Sequence, residues 1–469
     1  MRCEPACGRV YGISFDGIAA SGITTEFLKL AGCFRARGYE VFLDLGYDIK
    51  PDKGSLFRPY GPEAAGLPPW VRLDRLPGLE AVDGYADAFV QASHTGAATG
   101  LSLSSLRSAH TAAAIAALLV ERWRALDVTM VVVENGTLPE NPAFTRALYQ
   151  AVETYGRELG IGKFVLWRDH DVMWFCEPEK YGAPPWNYAP RPYPSPFIHH
   201  AAITAPAART LSEWAGGTPV DVIPNCFEFR RPPRRAGVRE ALGIPVEAFV
   251  IARCTRVIPQ KRIDREIVLL RLLGTMAAAH GFRRPLHLVI TGPTTEHPIE
   301  TAYLRRLAAS LGVESQVHFA DGLLPCGADG GISVSDLLAE ADLSSFLTSY
   351  RYEGFGNPPA EACAHGVPFV STRYELYDAV YGPAELRALL LPIAAADDGA
   401  PDDAWAATLL DRIADPARLA ADAAHNFDAA RRHFSLDHLE RRLCALFPGH
   451  LAAGYAVRTQ PLALSMGEQ

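Results

Sequence analysis

The sequence has no long apolar run, no apolar leader at its N-terminus and no excess of basic residues. Its most apolar stretch, Thr111–Val120, is too short to cross a bilayer, which takes about 20 residues. The net charge is -8, whereas proteins that bind nucleic acids usually carry a basic excess. We therefore expect a soluble, cytoplasmic protein with no transmembrane segment and no nucleic-acid partner.

Cysteine is also scarce, because only nine residues, an odd number, are scattered over the chain. Cys3 and Cys7 lie close together, but no set of further cysteines and histidines nearby completes a zinc site. Scattered cysteines of this kind are typical of reduced thiols in a cytosol. The cysteine pattern therefore predicts no zinc site.

Strand-like and helix-like segments alternate along the chain, which predicts parallel α/β sheets. In the first half, the strand-like runs include Arg9–Phe15 and Lys163–Trp167. The alternation starts again at Phe249–Arg253 and continues to Leu343–Leu347. Short, continuous apolar runs are typical of strands that are buried in a parallel sheet.

The length of the chain and this restart predict two domains, since 469 residues exceed one ordinary core. We expect two Rossmann-like, doubly wound α/β domains over residues 1–223 and 224–434. The Pro- and Arg-rich stretch Ile223–Gly237 is expected to be an exposed linker between them. A helix at about 435–469 is expected to pack back on the first domain. Ligands of such sheets bind beyond the carboxyl ends of the strands, so we expect the site in the cleft between the domains.

Two cations follow the first predicted strand of the second domain: Arg256 and Lys261, in the sequence TRVIPQK. A guanidinium fork and an ammonium group at the carboxyl end of a strand can hold a pyrophosphate. The alternative is a pair of solvated surface cations. The position directly after a strand favours a binding role.

Two glutamates, Glu353 and Glu361, flank a glycine turn in EGFGNPPAE. A helix is expected to begin near Pro358 and Pro359, because proline suits the first helical turn. Glu361 would then lie in that first turn, where a carboxylate stabilises the helix dipole. A phosphate can dock on the free N–H groups of the same turn, while the carboxylates accept hydrogen bonds from hydroxyls. We interpret the pair as part of a nucleotide-sugar site.

Candidates in the first domain also follow predicted strands. Asp16 and Gly22 belong to a loop before a helix, where glycine lets the backbone approach a ligand. His170, in WRDHD, could be catalytic or bind a hydroxyl. Asp169 and Asp171 could instead hold a divalent metal ion, or the three side chains could cap the next element. These alternatives stay open.

One long segment, Trp174–Phe197, is rich in proline and aromatic residues and has no clear period. Long loops without secondary structure are usually functional or disordered, and the aromatic content argues against disorder. The rings could stack on sugars, so we expect an ordered cap near the site, with a packed surface loop as the alternative.

Together these motifs resemble the retaining glycosyltransferases of the GT-B fold, family 4. EGFGNPPAEACAHGVPFV is similar to the E-x7-E signature of that family, and TRVIPQK resembles its G-R-x-x-x-x-K phosphate clamp. DVIPNCFE is similar to the interdomain motif V-I-P-N-G-V-D. The likeness covers nearly the whole chain and is most specific in the second domain.

The resemblance implies a role for each matched residue. Arg256 and Lys261 would bind the donor diphosphate and stabilise the leaving group, Glu353 would contact hydroxyls of the donor sugar, and Glu361 would bind the ribose. The implied donor-binding residues are Gly22, Arg256, Lys261, Gly292, Glu353, Gly354, Phe355, Gly356, Asn357 and Glu361.

The family also implies the reaction. A hexose-type sugar would pass from a nucleotide-diphosphate sugar to a hydroxyl of a small-molecule or glycan acceptor, with retention of configuration and without a metal or a cofactor. His170 would act with Glu353, Arg256 and Lys261, and the acceptor would contact Asp16, His170 and Trp174. The alternatives are a sugar-nucleotide epimerase of the same fold and a non-catalytic sugar-nucleotide-binding protein.

Some positions depart from the family pattern. Thr255 and Cys226 stand where the family usually has glycine. Pro358 has no N–H group, so Asn357 or Ala360 would have to supply the backbone contact to phosphate.

Overall fold

The computed structural model of the protein describes residues 8–15, 22–45, 67–83, 85, 109–139, 141–176, 189–320, 323, 331–396 and 399–451. The chain forms two compact units, each with its own sheet. The first unit comprises Met1–Pro224 and Leu439–Gln469, and the second comprises Asn225–His438.

The first unit contains a seven-stranded parallel sheet in the order β3-β2-β1-β4-β5-β6-β7. Its strands are β1 (Gly8–Ser14), β2 (Tyr39–Leu45), β3 (Val71–Leu73), β4 (Met130–Glu134), β5 (Val165–Asp169), β6 (Ile198–Ala202) and β7 (Val220–Val222). Its helices before the linker are α1 (Gly22–Arg35), α2 (Ala109–Ala125), α3 (Pro142–Leu159), α4 (Met173–Cys176) and α5 (Ala205–Trp214).

Local sequence explains how α3 begins and ends beside β4. Asn141 precedes the helix, and its side-chain oxygen accepts a 3.2 Å hydrogen bond from the backbone N–H of Phe144. Pro142 occupies the first helical position, where a missing N–H has no cost. Gly160 ends the helix in the left-handed conformation, with φ of 62°. These signals set where α3 begins and ends.

The second unit contains a six-stranded parallel sheet in the order β10-β9-β8-β11-β12-β13. Its strands are β8 (Phe249–Arg253), β9 (Leu286–Ile290), β10 (Val317–Phe319), β11 (Leu343–Phe346), β12 (Phe369–Thr372) and β13 (Leu389–Leu391). Its helices are α6 (Val238–Ala241), α7 (Asp264–Met276), α8 (Pro298–Ser310), α9 (Val334–Glu340), α10 (Asn357–His365), α11 (Tyr377–Tyr381), α12 (Asp403–Ile413) and α13 (Pro416–Phe434).

The chain then returns to the first unit through α14 (Leu436–Leu446) and α15 (Pro448–Leu451). The hydroxyl of Tyr39 donates to the carbonyl of His450 at 3.0 Å, and Arg37 Nε donates to the carbonyl of Leu451 at 2.9 Å. The C-terminal helices are thereby attached to β2 and to the segment before it.

The strand order reverses once in each sheet, at β1 and β4 in the first unit and at β8 and β11 in the second. The loops that leave neighbouring strands diverge at such a point and open a crevice at the carboxyl ends. The predicted α/β class with two Rossmann-like sheets is confirmed. The short strands β3 and β13 were not predicted.

No helix in the described ranges is both long enough and apolar enough to cross a membrane.

Gly292 follows β9 and packs directly against the loop that follows β8. A Cβ atom at this position would lie 2.3 Å from the carbonyl oxygen of Thr255 and 2.7 Å from the backbone nitrogen of Val257. Both contacts are with backbone, which cannot move aside as a flexible side chain can. The structure thus gives a packing reason for glycine here, and its donor-binding role stays a prediction.

We expect Gly292→Ala to destabilise the protein by about 1–3 kcal/mol, because the added methyl group overpacks two backbone segments. Gly274→Ala is the matched control, since a Cβ there meets nothing within 4 Å inside α7. The control should be neutral or more stable by up to ~1 kcal/mol. Urea unfolding of both variants measures the difference, and equal stability of the two would contradict the packing argument.

Candidate functional site

The second unit places a lysine and a glutamate in contact at the carboxyl ends of β8 and β11. Lys261 Nζ donates to Glu353 Oε1 at 2.6 Å, and the hydroxyl of Thr348 donates to the same oxygen at 2.7 Å. Glu353 is only 8% exposed. The sequence predicted both charged residues but not their pairing, nor the contribution of Thr348.

The other predicted cation, Arg256, is not part of this cluster. Its side chain is 61% exposed and forms an ion pair with Glu296, whose Oε1 lies 2.6 Å from Arg256 Nε. Glu296 stands in the loop between β9 and α8, where no sequence signal marked it. The two predicted phosphate-binding cations are therefore each paired with a different carboxylate.

The glycine turn after Glu353 is held by two buried tyrosines. The hydroxyl of Tyr374 donates to the carbonyl of Phe355, and that of Tyr381 donates to the carbonyl of Gly356 at 2.6 Å. Burial raises the pKa of both phenols well above the usual value, so they remain donors. Gly356 has φ of 74°, and a Cβ there would lie 2.5 Å from the Tyr374 oxygen. The turn is therefore rigid and requires glycine.

Helix α10 begins at Asn357, directly after this turn. The prediction that Glu361 lies in the first turn is wrong, because the helix begins before Pro358 and Glu361 is its fifth residue. The side chain of Asn357 accepts a 2.9 Å hydrogen bond from the amide of Asn225. The backbone N–H of Asn357 remains a candidate for phosphate contact.

Phe355 points its ring into the core rather than outward. The side chain is 4% exposed, and its ring packs edge-on against Phe434 and Tyr381 at centroid distances of 5.7 Å. A donor contact at Phe355 would therefore use its backbone, as would one at Gly354.

The first unit buries a charged cluster at the ends of β4 and β5. Glu134 Oε2 lies 3.1 Å from Arg168 Nε and 2.7 Å from His170 Nε2. Burial alone raises the pKa of Glu134, but the charge of Arg168 and the hydrogen bond with His170 outweigh it and lower the pKa. An ionised carboxylate only accepts, so His170 Nε2 carries the proton. Glu134 was not predicted, although it ends the apolar run MVVVE.

Asp169 and Asp171 lie in different surroundings, since the first is buried and the second is exposed. Asp169 is 1% exposed, and its Oδ1 accepts hydrogen bonds from the hydroxyl of Thr137 at 2.6 Å and from its N–H at 3.1 Å. Asp171 is exposed. Among the described residues, no group of three or more His, Cys, Asp and Glu side chains is placed to hold a metal ion.

The remaining predicted residues of the first unit do not form one described cluster. Trp174 is 1% exposed, and its indole N–H donates to the carbonyl of Thr137 at 2.7 Å. Gly22 is the exposed first residue of α1. Asp16 and residues 177–188 of the predicted cap lie outside the described residues. The acceptor-binding roles stay predictions.

Comparison with protein families identifies the class to which the second unit is similar. Residues 256–402 match the family described as "Glycosyl transferases group 1". The match begins at Arg256 and includes Lys261, Glu353 and Glu361. The motifs of the candidate site therefore lie within the part of the chain that resembles this family.

The chain is also similar in sequence to curated proteins that are named as sugar transferases. The chain is 29% identical over 268 residues to the D-inositol 3-phosphate glycosyltransferase of Acidothermus cellulolyticus, covering 55% of each chain. It is 29% identical over 221 residues to the lipopolysaccharide core biosynthesis mannosyltransferase LpsB of Rhizobium meliloti, covering 47% of this chain and 57% of the relative. The chain spans about half the length of the curated relatives it matches.

Solved structures extend the likeness in fold to nearly the whole chain. The glycosyltransferase from Rickettsia africae has a TM-score of 0.59 at 13% identity, covering 95% of this chain and 100% of its own. HepE from Anabaena, in complex with UDP, has a TM-score of 0.58 at 16% identity and covers 94% of this chain and 100% of its own. The two Rossmann-like sheets match those of GT-B glycosyltransferase structures.

Because Asp169 is buried, we expect the free energy of unfolding to depend on pH. Burial raises the pKa of its carboxyl to about 7, against the partial effect of the Thr137 hydrogen bonds. Below about pH 3.9, the usual pKa of an unfolded aspartate, the carboxyl is protonated in both states, and its contribution to the stability of the folded protein is fully present. As the pH rises to about 7, the unfolded protein releases this proton before the folded protein does, so the contribution is lost. We expect Asp169→Asn to abolish that loss, on the order of a few kcal/mol.

The measurement is the unfolding free energy of variant and parent from pH 5 to pH 8. The variant should gain on the parent as pH rises, whereas the control Asp171→Asn, at an exposed position, should run parallel to the parent. Parallel curves for Asp169→Asn would show that this carboxyl is ionised in the folded protein throughout the range.

Proposed function

We propose that this protein is a retaining glycosyltransferase. It would transfer a hexose-type sugar from a nucleotide-diphosphate sugar to a hydroxyl of a small-molecule or glycan acceptor, without a metal ion or cofactor. The observation that carries this proposal is the contact of Lys261 and Thr348 with Glu353 at the strand reversal of the second sheet. The family match over residues 256–402 supports it.

The proposed chemistry follows from the charges. The bond that breaks joins the sugar to the diphosphate, which gains negative charge as it leaves. Lys261 is only 15% exposed, so its charge acts at reduced screening on the leaving group. Arg256, 61% exposed, can exchange Glu296 for a phosphate oxygen. Two protein cations would thus perform the charge stabilisation that a metal ion performs in other transferases.

Glu353 has a different role in the proposal. Its Oε1 already accepts two hydrogen bonds, from Lys261 and Thr348. A carboxylate held in this way can accept further hydrogen bonds from sugar hydroxyls at Oε2. Glu353 would therefore orient the donor sugar, and the acceptor would attack from the face that the diphosphate leaves. For the first unit, we propose that His170, whose Nε2 lies 2.7 Å from Glu134 Oε2, contacts a substrate hydroxyl.

The comparisons support the substrate class rather than particular substrates. The curated relatives are named for transfer to D-inositol 3-phosphate and for mannosyl transfer, and a structure of similar fold holds UDP. A nucleotide-diphosphate sugar as the donor fits the UDP of that structure and the two cations of this chain. We also propose a cytoplasmic location, because the scattered cysteines suit a reducing compartment.

We expect Lys261→Ala and Arg256→Ala to lower kcat/KM for the donor sugar. Each charge-assisted hydrogen bond contributes about 1.5–3 kcal/mol, which corresponds to roughly 10- to 200-fold. Lys261→Ala should show the larger effect, because Lys261 is the more buried of the two. Calorimetry with UDP, GDP and ADP would first identify the diphosphate, and its release would then be assayed with the matching sugar donors.

Arg373→Ala is the matched control for Arg256→Ala. Arg373 also forms an exposed ion pair, with Asp378, in which both side chains are 59% exposed. Its loss should leave transfer unchanged. Unimpaired turnover in both Lys261→Ala and Arg256→Ala would refute the proposed donor site. A donor sugar epimerised without acceptor, or bound without any reaction, would refute transfer itself.

Transfer should persist in excess EDTA, with kcat within about two-fold of the value in Mg²⁺, since the cations of the chain act on the diphosphate. The anomeric configuration of the product, read by NMR from its coupling constants, should equal that of the donor. Inactivation by EDTA that is reversed by Mg²⁺ would contradict the metal-independent reaction, and an inverted product would contradict retention.

A further inference from the structure

Three more charged side chains lie behind the Lys261–Glu353 pair. Arg253, Arg265 and Glu266 are each no more than 1% exposed. Arg253 is the last residue of β8, and the other two belong to the first turn of α7. Charges are rarely buried this deeply unless they are paired and hydrogen-bonded. The hydrogen bonds of these three side chains connect them to the segments that carry Lys261 and Glu353.

Arg253 reaches the loop that carries Lys261. Its guanidinium donates to the carbonyl oxygen of Lys261 and, at 3.4 Å, to that of Ser345 on β11. Arg253 Nε lies 3.3 Å from Glu266 Oε1. The guanidinium also lies over the ring of Phe346, 4.8 Å from its centroid. One side chain thus connects the Lys261 loop with β11.

Glu266 and Arg265 reach the segment that leads to Glu353. Glu266 Oε1 accepts hydrogen bonds from the hydroxyl of Ser345 at 3.0 Å and from the N–H of Leu347 at 2.8 Å. Arg265 donates to the carbonyl oxygens of Leu347, at 3.3 Å, and of Thr348. Thr348 is the residue whose hydroxyl donates to the Glu353 carboxylate.

The two segments also contact each other directly. The N–H of Ser349 donates to the carbonyl of Gln260 at 3.4 Å. Lys261 is consequently fixed at both ends, since its carbonyl is bound by Arg253 and its ammonium group by Glu353. Arg253, Arg265 and Glu266 lie outside the motifs that resemble glycosyltransferases, so we infer their role from the groups that they contact.

We propose that Arg253 and Glu266 are positioning residues. As a buried pair they fix the backbone of Lys261 and of residues 345–348, and thereby the geometry between the Lys261 ammonium and the Glu353 carboxylate. Their relevance to catalysis rests on the proposed function; their effect on the geometry does not.

A purely stabilising role accounts poorly for this pair. Replacing a buried ion pair by neutral groups of similar volume is often neutral for stability, whereas removing one partner alone is strongly destabilising. The test therefore uses the double variant Arg253→Met/Glu266→Gln. Methionine keeps volume but loses the bond to the Lys261 carbonyl, and glutamine keeps an acceptor for Ser345 and Leu347.

The first measurement is amide hydrogen exchange of the full chain. We expect faster exchange at 260–262 and 347–349 in the double variant, with β9 and β10 unchanged. The control Arg239→Met/Glu340→Gln removes another largely buried pair of the same unit, 2.8 Å between Arg239 Nε and Glu340 Oε2. It should leave exchange at both segments as in the parent.

The second measurement is kcat/KM in two backgrounds. In the parent, the double variant should lose roughly 10- to 100-fold, because small misplacements of catalytic groups have effects of this size. In a Lys261→Ala background the same substitutions should cost less than about 3-fold, because the Lys261–Glu353 geometry that they fix no longer exists. A general loss of structure would give the same factor in both backgrounds.

The outcomes separate the two proposals. Unchanged exchange at both segments, or equal factors in the two backgrounds, overturns the positioning role. If the parent protein neither binds UDP, GDP or ADP nor transfers sugar, the proposed function is wrong, and the exchange measurement alone then decides whether Arg253 and Glu266 hold the Lys261–Glu353 geometry.

Discussion

The burial of the central strands is the constraint on which both candidate sites depend. Strands β4, β5, β8 and β9 are buried along their whole length, as expected for parallel sheets with covered faces. A charge that is buried at the end of such a strand needs a partner, because burying a lone ion is costly. The partner comes from the next strand, from the loop beside it, or from the helix that follows the strand. Glu134 and Arg253 therefore each stand beside an opposite charge where their strands end.

This constraint has different results in the two units. In the first, Glu134 ends β4 and meets Arg168 and His170 from β5 and the loop after it, so one carboxylate serves two partners. In the second, the buried Arg253–Glu266 pair lies beneath the less buried Lys261–Glu353 pair. The second arrangement therefore has two layers. The inner pair binds backbone groups of Lys261 and Leu347, and the outer pair consists of the two side chains of the proposed donor site. Of these two pairs, only the outer one reaches solvent, since its side chains are 15% and 7% exposed and those of the inner pair 0%.

The sequence could predict the outer layer but not the inner one. Arg256, Lys261 and Glu353 follow strand-like runs and stand in spacings that resemble a family, so their place at the carboxyl edge was predictable. Arg253 ends the strand-like run itself, and Glu266 lies in a helix-like stretch, where a charge is read as a solvated face. Pairing across 13 residues of chain is a tertiary event that no local pattern shows. Partners such as Thr348 and Glu296 escaped prediction for the same reason.

The two glutamates of EGFGNPPAE show why spacing alone does not determine chemistry. Glu353 is 8% exposed and accepts from Lys261 and Thr348. Glu361 lies in the second turn of α10, beyond a glycine turn that two tyrosines hold in place. A pair for acid/base work needs two carboxyl groups with opposed tasks on one substrate atom. Here the first is bound to a cation, and a rigid turn and the start of a helix separate it from the second. Binding of different hydroxyls of one donor, on either side of the diphosphate, is the division of tasks that we propose for the two glutamates.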